Sequence, residues 1–114
     1  MKNLFINNPV SRKGKQVSIE IEELDPFINT CPVTNFNEKC TVCVSYVPAE
    51  KVINLTEFRT RMSVRRAKYV ESIADDIYQL LLNGLQPIKL EVTVKLLRDE
   101  SQGLTPWSVT IKNY

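Results

Sequence analysis

Residues 88–96 alternate without a break: Ile88, Leu90, Val92, Val94 and Leu96 are apolar, and Lys89, Glu91, Thr93 and Lys95 between them are polar. A period of two sends successive side chains to opposite faces of an extended chain. This stretch therefore reads as a strand with one dry face and one wet face, the pattern of an antiparallel sheet. Three other stretches carry the same period. Over residues 16–24, Val17, Ile19 and Ile21 alternate with Ser18, Glu20 and Glu22, up to a break at Asp25-Pro26. Residues 41–47 place Val42, Val44 and Tyr46 on one side and stop at Pro48. Trp107, Val109 and Ile111 alternate with Ser108, Thr110 and Lys112, after a polar connection around Gln102 and Gly103.

Between the second and third strands the period changes. Asn54 followed by Glu57 is a capping pair, so a helix should start near Leu55. Ala67, Val70, Ile73, Ala74, Ile77, Leu80 and Leu81 recur at three- and four-residue intervals, which predicts a longer helix over residues 64–83 with Gly84 as its left-handed stop. The expected architecture is α+β: a four-stranded antiparallel sheet with two helices on one face, inserted between strands two and three. One domain over residues 1–114 is expected, the stretch up to about Lys13 being a flexible tail. A core of this size is thin, and an open sheet has two unpaired edges, so closure of several copies into a ring is the expected assembly.

Composition removes several functional classes. No apolar run approaches the ~20 residues of a membrane span. Residues 1–10 carry only Lys2 as a cation and lack the apolar stretch of a secretory signal, so a cytoplasmic location is expected. The three cysteines, Cys31, Cys40 and Cys43, are an odd set in such a chain, which predicts free thiols. Cys40 and Cys43 have the spacing of a metal or redox pair. Their odd separation on a strand sends them to opposite faces, and a chain without histidine offers no second ligand pair, so no metal is expected. A net charge of +2 does not identify a nucleic-acid binder. Arg59, Arg61, Arg65, Arg66 and Lys68 nevertheless crowd one stretch, which reads either as a solvated helix face or as a phosphate-contacting cluster.

The segment between the first two strands carries Cys31-Pro32-Val33-Thr34 and, seven residues after the cysteine, Glu38. A thiolate that adds to an electrophilic carbon needs an acid to protonate the atom on which charge develops, and Cys31 and Glu38 are a candidate pair for those roles. On spacing alone, a packed thiol beside a solvated carboxylate is the commoner arrangement.

The loop Cys31-Pro32, an acid seven positions on and a strand closing as Tyr46-Val47-Pro48 together resemble the QueF family of tunnelling-fold enzymes, from about Ile19 onward. The resemblance implies a tunnelling fold, with Cys31 as the nucleophile that forms a thioimide with the nitrile of 7-cyano-7-deazaguanine. It implies that Glu38, where the family usually has Asp, donates and accepts the proton. Glu71, in Tyr69-Val70-Glu71-Ser72, matches the family carboxylate that grips the edge of the base, although the histidine found near it in the family is missing here. Reductase members carry a Glu-Ser-Lys-Ser type segment for NADPH. Residues 51–58 lack it, and a chain with three glycines has no phosphate cradle elsewhere.

That pattern is similar to the archaeal QueF-like amidinotransferases, which make archaeosine. The similarity implies no organic cofactor, tRNA carrying 7-cyano-7-deazaguanine and ammonia as substrates, RNA contact through the Arg59 to Lys68 cluster, and a homo-oligomer of two stacked rings. The alternatives are an NADPH-dependent 7-cyano-7-deazaguanine reductase and a non-catalytic tunnelling-fold protein that binds a purine or RNA.

Overall fold

The computed structural model describes residues 3–99 and 106–114, so the connection expected around Gln102 and Gly103 lies outside the described residues. Its elements run β1 (Phe5–Asn7), β2 (Ile19–Thr30), β3 (Asn37–Val47), β4 (Lys51–Ile53), α1 (Leu55–Met62), α2 (Val70–Leu85), β5 (Lys89–Asp99) and β6 (Trp107–Lys112). The main sheet is antiparallel with strand order β2-β3-β5-β6, and β1 and β4 pair in a separate two-stranded ribbon. The predicted α+β arrangement is therefore present, with both helices lying between the second and third strands of the main sheet.

Parity builds the core. Cys40, Val42, Val44 and Tyr46 of β3 and Leu90, Val92, Val94 and Leu96 of β5 are all buried, and they join Phe58 and Met62 of α1 and Val70, Ile73, Ala74, Ile77 and Leu81 of α2 in one cluster. The helices cover this face alone, so Thr93 and Lys95 between the buried positions of β5 remain outside the core cluster.

Four local expectations need correction. The first strand does not break at Asp25-Pro26: β2 continues to Thr30 through a register shift between Glu23 and Phe27. Proline cannot donate to a ladder, but β2 is an edge strand and a bulge there absorbs the missing donor. Second, β3 begins at Asn37 instead of Thr41, so the loop carrying Cys31 is much shorter than the sequence suggested. Third, the long helix starts at Val70, because the preceding segment is held as extended chain against β2. There the Thr30 N–H donates to the Arg66 carbonyl at 2.8 Å, and the Arg66 N–H donates to the Ile28 carbonyl at 2.9 Å. Fourth, Gln86 takes the left-handed conformation that ends α2, with φ 45°. Gly84 lies inside the helix, where a methyl group would overlap the Phe5 ring, so its lack of a side chain is what lets β1 lie against α2. Part of the expected tail is thus a strand, anchored by the buried Leu4.

Asn54 does cap α1, accepting from the Glu57 N–H at 3.4 Å. The Glu57 carboxylate meets Arg61 Nε at 3.1 Å. No helix among the described residues is long and apolar enough to cross a membrane.

Candidate active site

The site begins where the β2–β3 hairpin closes. Asn29 pairs with Glu38 and Thr30 with Asn37. Beyond them the Cys31 N–H donates to the Phe36 carbonyl at 2.9 Å and the Asn35 N–H donates to the Cys31 carbonyl at 2.8 Å, leaving residues 32–35 as a tight connection. Asn35 has φ 63°, a conformation that asparagine tolerates better than most residues with a Cβ. Cys31 is therefore fixed at the end of a strand, and Glu38 sits on the adjacent strand.

The same alternation that buries the core places these groups. Along β2, Phe27 and Asn29 point to the helical side, and Cys31 continues their parity. Along β3, Glu38 shares the inward face of Cys40, Val42, Val44 and Tyr46, and only 6% of it is exposed. A buried carboxyl needs partners. Asn29 Nδ2 donates to Glu38 Oε2 at 2.9 Å and to the Lys68 carbonyl at 2.7 Å, while Asn29 Oδ1 accepts from the Lys68 N–H at 3.0 Å. Among the described residues no buried side-chain nitrogen or oxygen lacks a partner.

These elements enclose a cleft of about 300 Å³. Cys31, Pro32, Val33 and Thr34 form one wall, Glu38 is shared from β3, and Lys68, Tyr69, Val70 and Glu71 form the wall opposite, with Trp107 arriving from β6. The three carboxyl and thiol groups singled out in the sequence thus line one cavity, although they come from a hairpin end, a strand and the first turn of α2. The volume lies at the lower end of the range for small-molecule pockets, enough for a single heterocycle. Tyr69 and Trp107 add aromatic surface that is 53% and 40% exposed, and the amide edge of a planar base could meet the Glu71 carboxylate.

Cys40 and Cys43 lie outside this cleft. Cys40 is wholly buried among core residues, whereas Cys43 faces a hollow on the far side of the sheet beside Glu22 and Lys95. Burial pushes the Cys43 thiol up from its ordinary range; Lys95 opposes this and Glu22 adds to it, so the thiolate there is disfavoured.

The basic cluster is more structural than its density suggested. Arg66 donates to the carbonyls of Met62, Val64 and Arg61 at the end of α1 and lies over the Phe27 ring at 4.6 Å. Burial pulls its pKa down from the ordinary guanidinium range, with Asp76 and Cys40 opposing. Arg65 Nη2 donates to Asn37 Oδ1 at 2.7 Å and to Thr30 Oγ1 at 3.3 Å, next to the hairpin end. Arg59 pairs with Glu23 at 3.5 Å, Arg61 with Glu57, and Lys68 with Asp76 at 2.6 Å. Arg59 and Lys68 are well exposed, and surface pairs of this kind are weak enough to exchange for phosphate.

Three contributors went unrecognised in the sequence. Trp107 is an ordinary inward residue by periodicity, Tyr69 sits before a helix, and Asn29 resembles any turn asparagine. For Glu38 a signal existed: extending the Val42, Val44, Tyr46 parity backwards through Cys40 puts it on the core face.

No protein-family model matches the chain. It is 29% identical over 90 residues to an NADPH-dependent 7-cyano-7-deazaguanine reductase of Thermosynechococcus vestitus, covering 77% of this chain and 67% of that protein. A reductase of the same name from Trichormus variabilis is 30% identical over 93 residues, covering 80% of this chain and 66% of the relative. The chain thus spans about two thirds of the length of these curated relatives. Among solved structures, the apo archaeosine synthase QueF-Like superposes with a TM-score of 0.67 at 22% identity, covering 86% of this chain and 92% of that one. A structure from Vibrio cholerae described as a putative dihydroneopterin aldolase (FolB) gives a TM-score of 0.53 at 11% identity, covering 87% of this chain and 99% of that one.

Proposed function

Because this chain belongs to the QueF family and has the tunnelling fold, we propose that it is a tRNA-modifying amidinotransferase acting on the nitrile of 7-cyano-7-deazaguanine. The observation that carries this reading is the convergence of Cys31, Glu38 and Glu71 on one cleft.

The chemistry runs in two additions. Glu71 accepts hydrogen bonds from the edge of the base and holds it against Tyr69 and Trp107. Cys31 Sγ adds to the nitrile carbon, forming a C–S bond as one C–N π bond breaks, and the nitrogen takes a proton from Glu38 to give a thioimide. Ammonia then adds to the same carbon. The C–S bond breaks, the sulfur leaves with the electron pair, and proton return through Glu38 completes the amidine of archaeosine. Nitrile plus ammonia balances to amidine, so no electrons are needed from a cofactor.

The base must leave its stack in tRNA to reach this cleft. Lys68 lines the cleft and Arg65 bonds to the hairpin end beside it; together with Arg59 and Arg61 of α1 they are the proposed phosphate contacts, with Arg66 holding the segment that bears Arg65 and Lys68. β2 and β6 are the edges of the main sheet, and edge-to-edge pairing of copies into a ring, with two rings stacked, is the proposed assembly.

A second reading draws on the relatives named as reductases, which favour reduction of the nitrile to an amine. That reaction needs two hydride equivalents. Mixing the protein with 7-cyano-7-deazaguanine should produce an adduct visible by mass and by thioimide absorbance. Ammonium with tRNA carrying the nitrile should then yield the amidine without NADPH. Catalytic oxidation of added NADPH, with the amine as product, would replace the amidinotransferase by the reductase. An adduct that survives in Cys31→Ala would remove the nucleophile, and the absence of any adduct in the native protein would leave a non-catalytic binder.

A further inference from the structure

We propose that Asn29 is a positioning residue that sets the working orientation of Glu38 and ties it to the segment carrying Glu71; this rests on the reading of Glu38 as the proton donor. Asn29 is wholly buried, so it can act on a bound molecule only through its neighbours. Its amide makes three hydrogen bonds that span the two walls of the cleft: to Glu38 Oε2 on β3, and both to and from the backbone of Lys68, three residues before Glu71.

The chemistry explains why an amide suits this place. A glutamate side chain has three torsions, and holding one arrangement of them opposes considerable rotamer entropy. Asn29 Nδ2 is a donor that never titrates. Glu38 Oε2 can accept from it whether the carboxyl is ionised or carries a proton on Oε1. The carboxyl therefore keeps one orientation while a proton leaves Oε1 for the nitrile nitrogen and later returns. The same amide grips the Lys68 backbone, so it joins the acid to the segment leading into Glu71, which the backbone bonds of Thr30 and Arg66 already hold against β2.

The test is a double-mutant cycle on adduct formation. Asn29→Asp keeps an oxygen for the Lys68 N–H and loses the donor toward Glu38; Asn29→Ser, made in parallel, is too short to reach both partners. Each is made alone and in a Glu38→Gln background. Three readouts are taken: the rate of thioimide formation with 7-cyano-7-deazaguanine, the Kd for 7-deazaguanine, which lacks the nitrile, and the Tm. In the native background the rate is expected to fall about tenfold or more, while the Kd changes by less than about twofold. In the Glu38→Gln background the same Asn29 change should produce no further fall in rate.

Equal rate losses in both backgrounds, or a Kd change that accounts for the whole loss, would overturn the assignment and leave Asn29 with a purely structural role. Failure of both variants to fold would do the same. A native protein that forms no adduct would instead sink the preceding reading of Cys31 and Glu38, and this inference with it, so the two failures are told apart by the unmodified protein.

Discussion

The two ends of β3 bury the same face with opposite chemistry. Toward the helix-packed end, Val42, Val44 and Tyr46 meet Leu90, Val92 and Val94 of β5 across the ladder, and nearly everything removed from water is apolar. At the other end the same inward row finishes in Glu38 against Asn29, a carboxyl and an amide buried where hydrocarbon would be more stable. The register is irregular at both flanks of the polar end, between Glu23 and Phe27 on one side and between Lys39 and Cys40 on the other. The contrast teaches that the two halves of a single strand can do different work. One half supplies the stability that lets the other hold polar groups in a fixed geometry.

If that division is real, substitutions at the two ends should separate chemistry from stability. The largest effect is expected from Cys31→Ala, which should abolish the nitrile adduct while leaving the Tm nearly unchanged, because the thiol is only partly buried at the end of a hairpin. Next, Leu90→Ala at the apolar end should destabilise the fold by about 3 kcal/mol, as large-to-small changes in packed cores do, and leave the adduct rate per folded molecule intact. Denaturant unfolding paired with adduct kinetics checks this; a matching loss of rate in the folded protein would break the comparison.

Glu38→Gln should slow adduct formation by about a hundredfold, the lower range for removal of a general acid, with unfolding free energy moved by less than about 1 kcal/mol because the amide can still accept from Asn29. The smallest effect belongs to Tyr46. Its hydroxyl accepts from the Ile53 N–H at 3.0 Å, and Tyr46→Phe should cost about 1 kcal/mol by leaving that donor unpaired. Burial raises the Tyr46 pKa, with the Ile53 contact opposing. The folded protein therefore prefers the neutral phenol, and this contribution is fully present below the unfolded tyrosine pKa of about 10 and is lost as pH rises toward the folded value. A series of Tm measurements from pH 9 to pH 11 should show a steeper decline in the native protein than in Tyr46→Phe.

The Tyr46 contact also explains a motif that the sequence presented only as a pattern. Tyr46-Val47-Pro48 closes the strand because the phenol ties β3 to the end of β4 across the turn, and Pro48 prevents the ladder from continuing. Cys31-Pro32 was legible in the same way, as a thiol at a break in periodicity. Glu71 was readable from its place in an amphipathic helix, though not its meeting with a hairpin some forty residues earlier. Asn29 was illegible because a turn asparagine and a buried bracket have the same local signature; the difference lies in Lys68, which reaches it only when the chain folds.

The basic stretch shows the limit from the other side. Charge density marked five cations as alike, yet Arg66 is consumed by three carbonyls at the end of α1 while Arg59 stands largely in solvent. Helical periodicity extended the long helix back to residue 64, but an unsatisfied strand edge competes for backbone hydrogen bonds. The edge of β2 captured that segment through Thr30 and Ile28.

Sequence alone determined the alternation of the strands, the amphipathic face of the long helix, the cap at Asn54 and the opposite facing of Cys40 and Cys43, since each follows from a local period or a contact within one turn. Only the tertiary structure decided where β2 bulges, where β3 begins, which residue ends α2 and which side chain steadies Glu38. Those outcomes depend on partners distant along the chain, and a backbone or side-chain polar group chooses among such partners only after packing has brought them within hydrogen-bond reach.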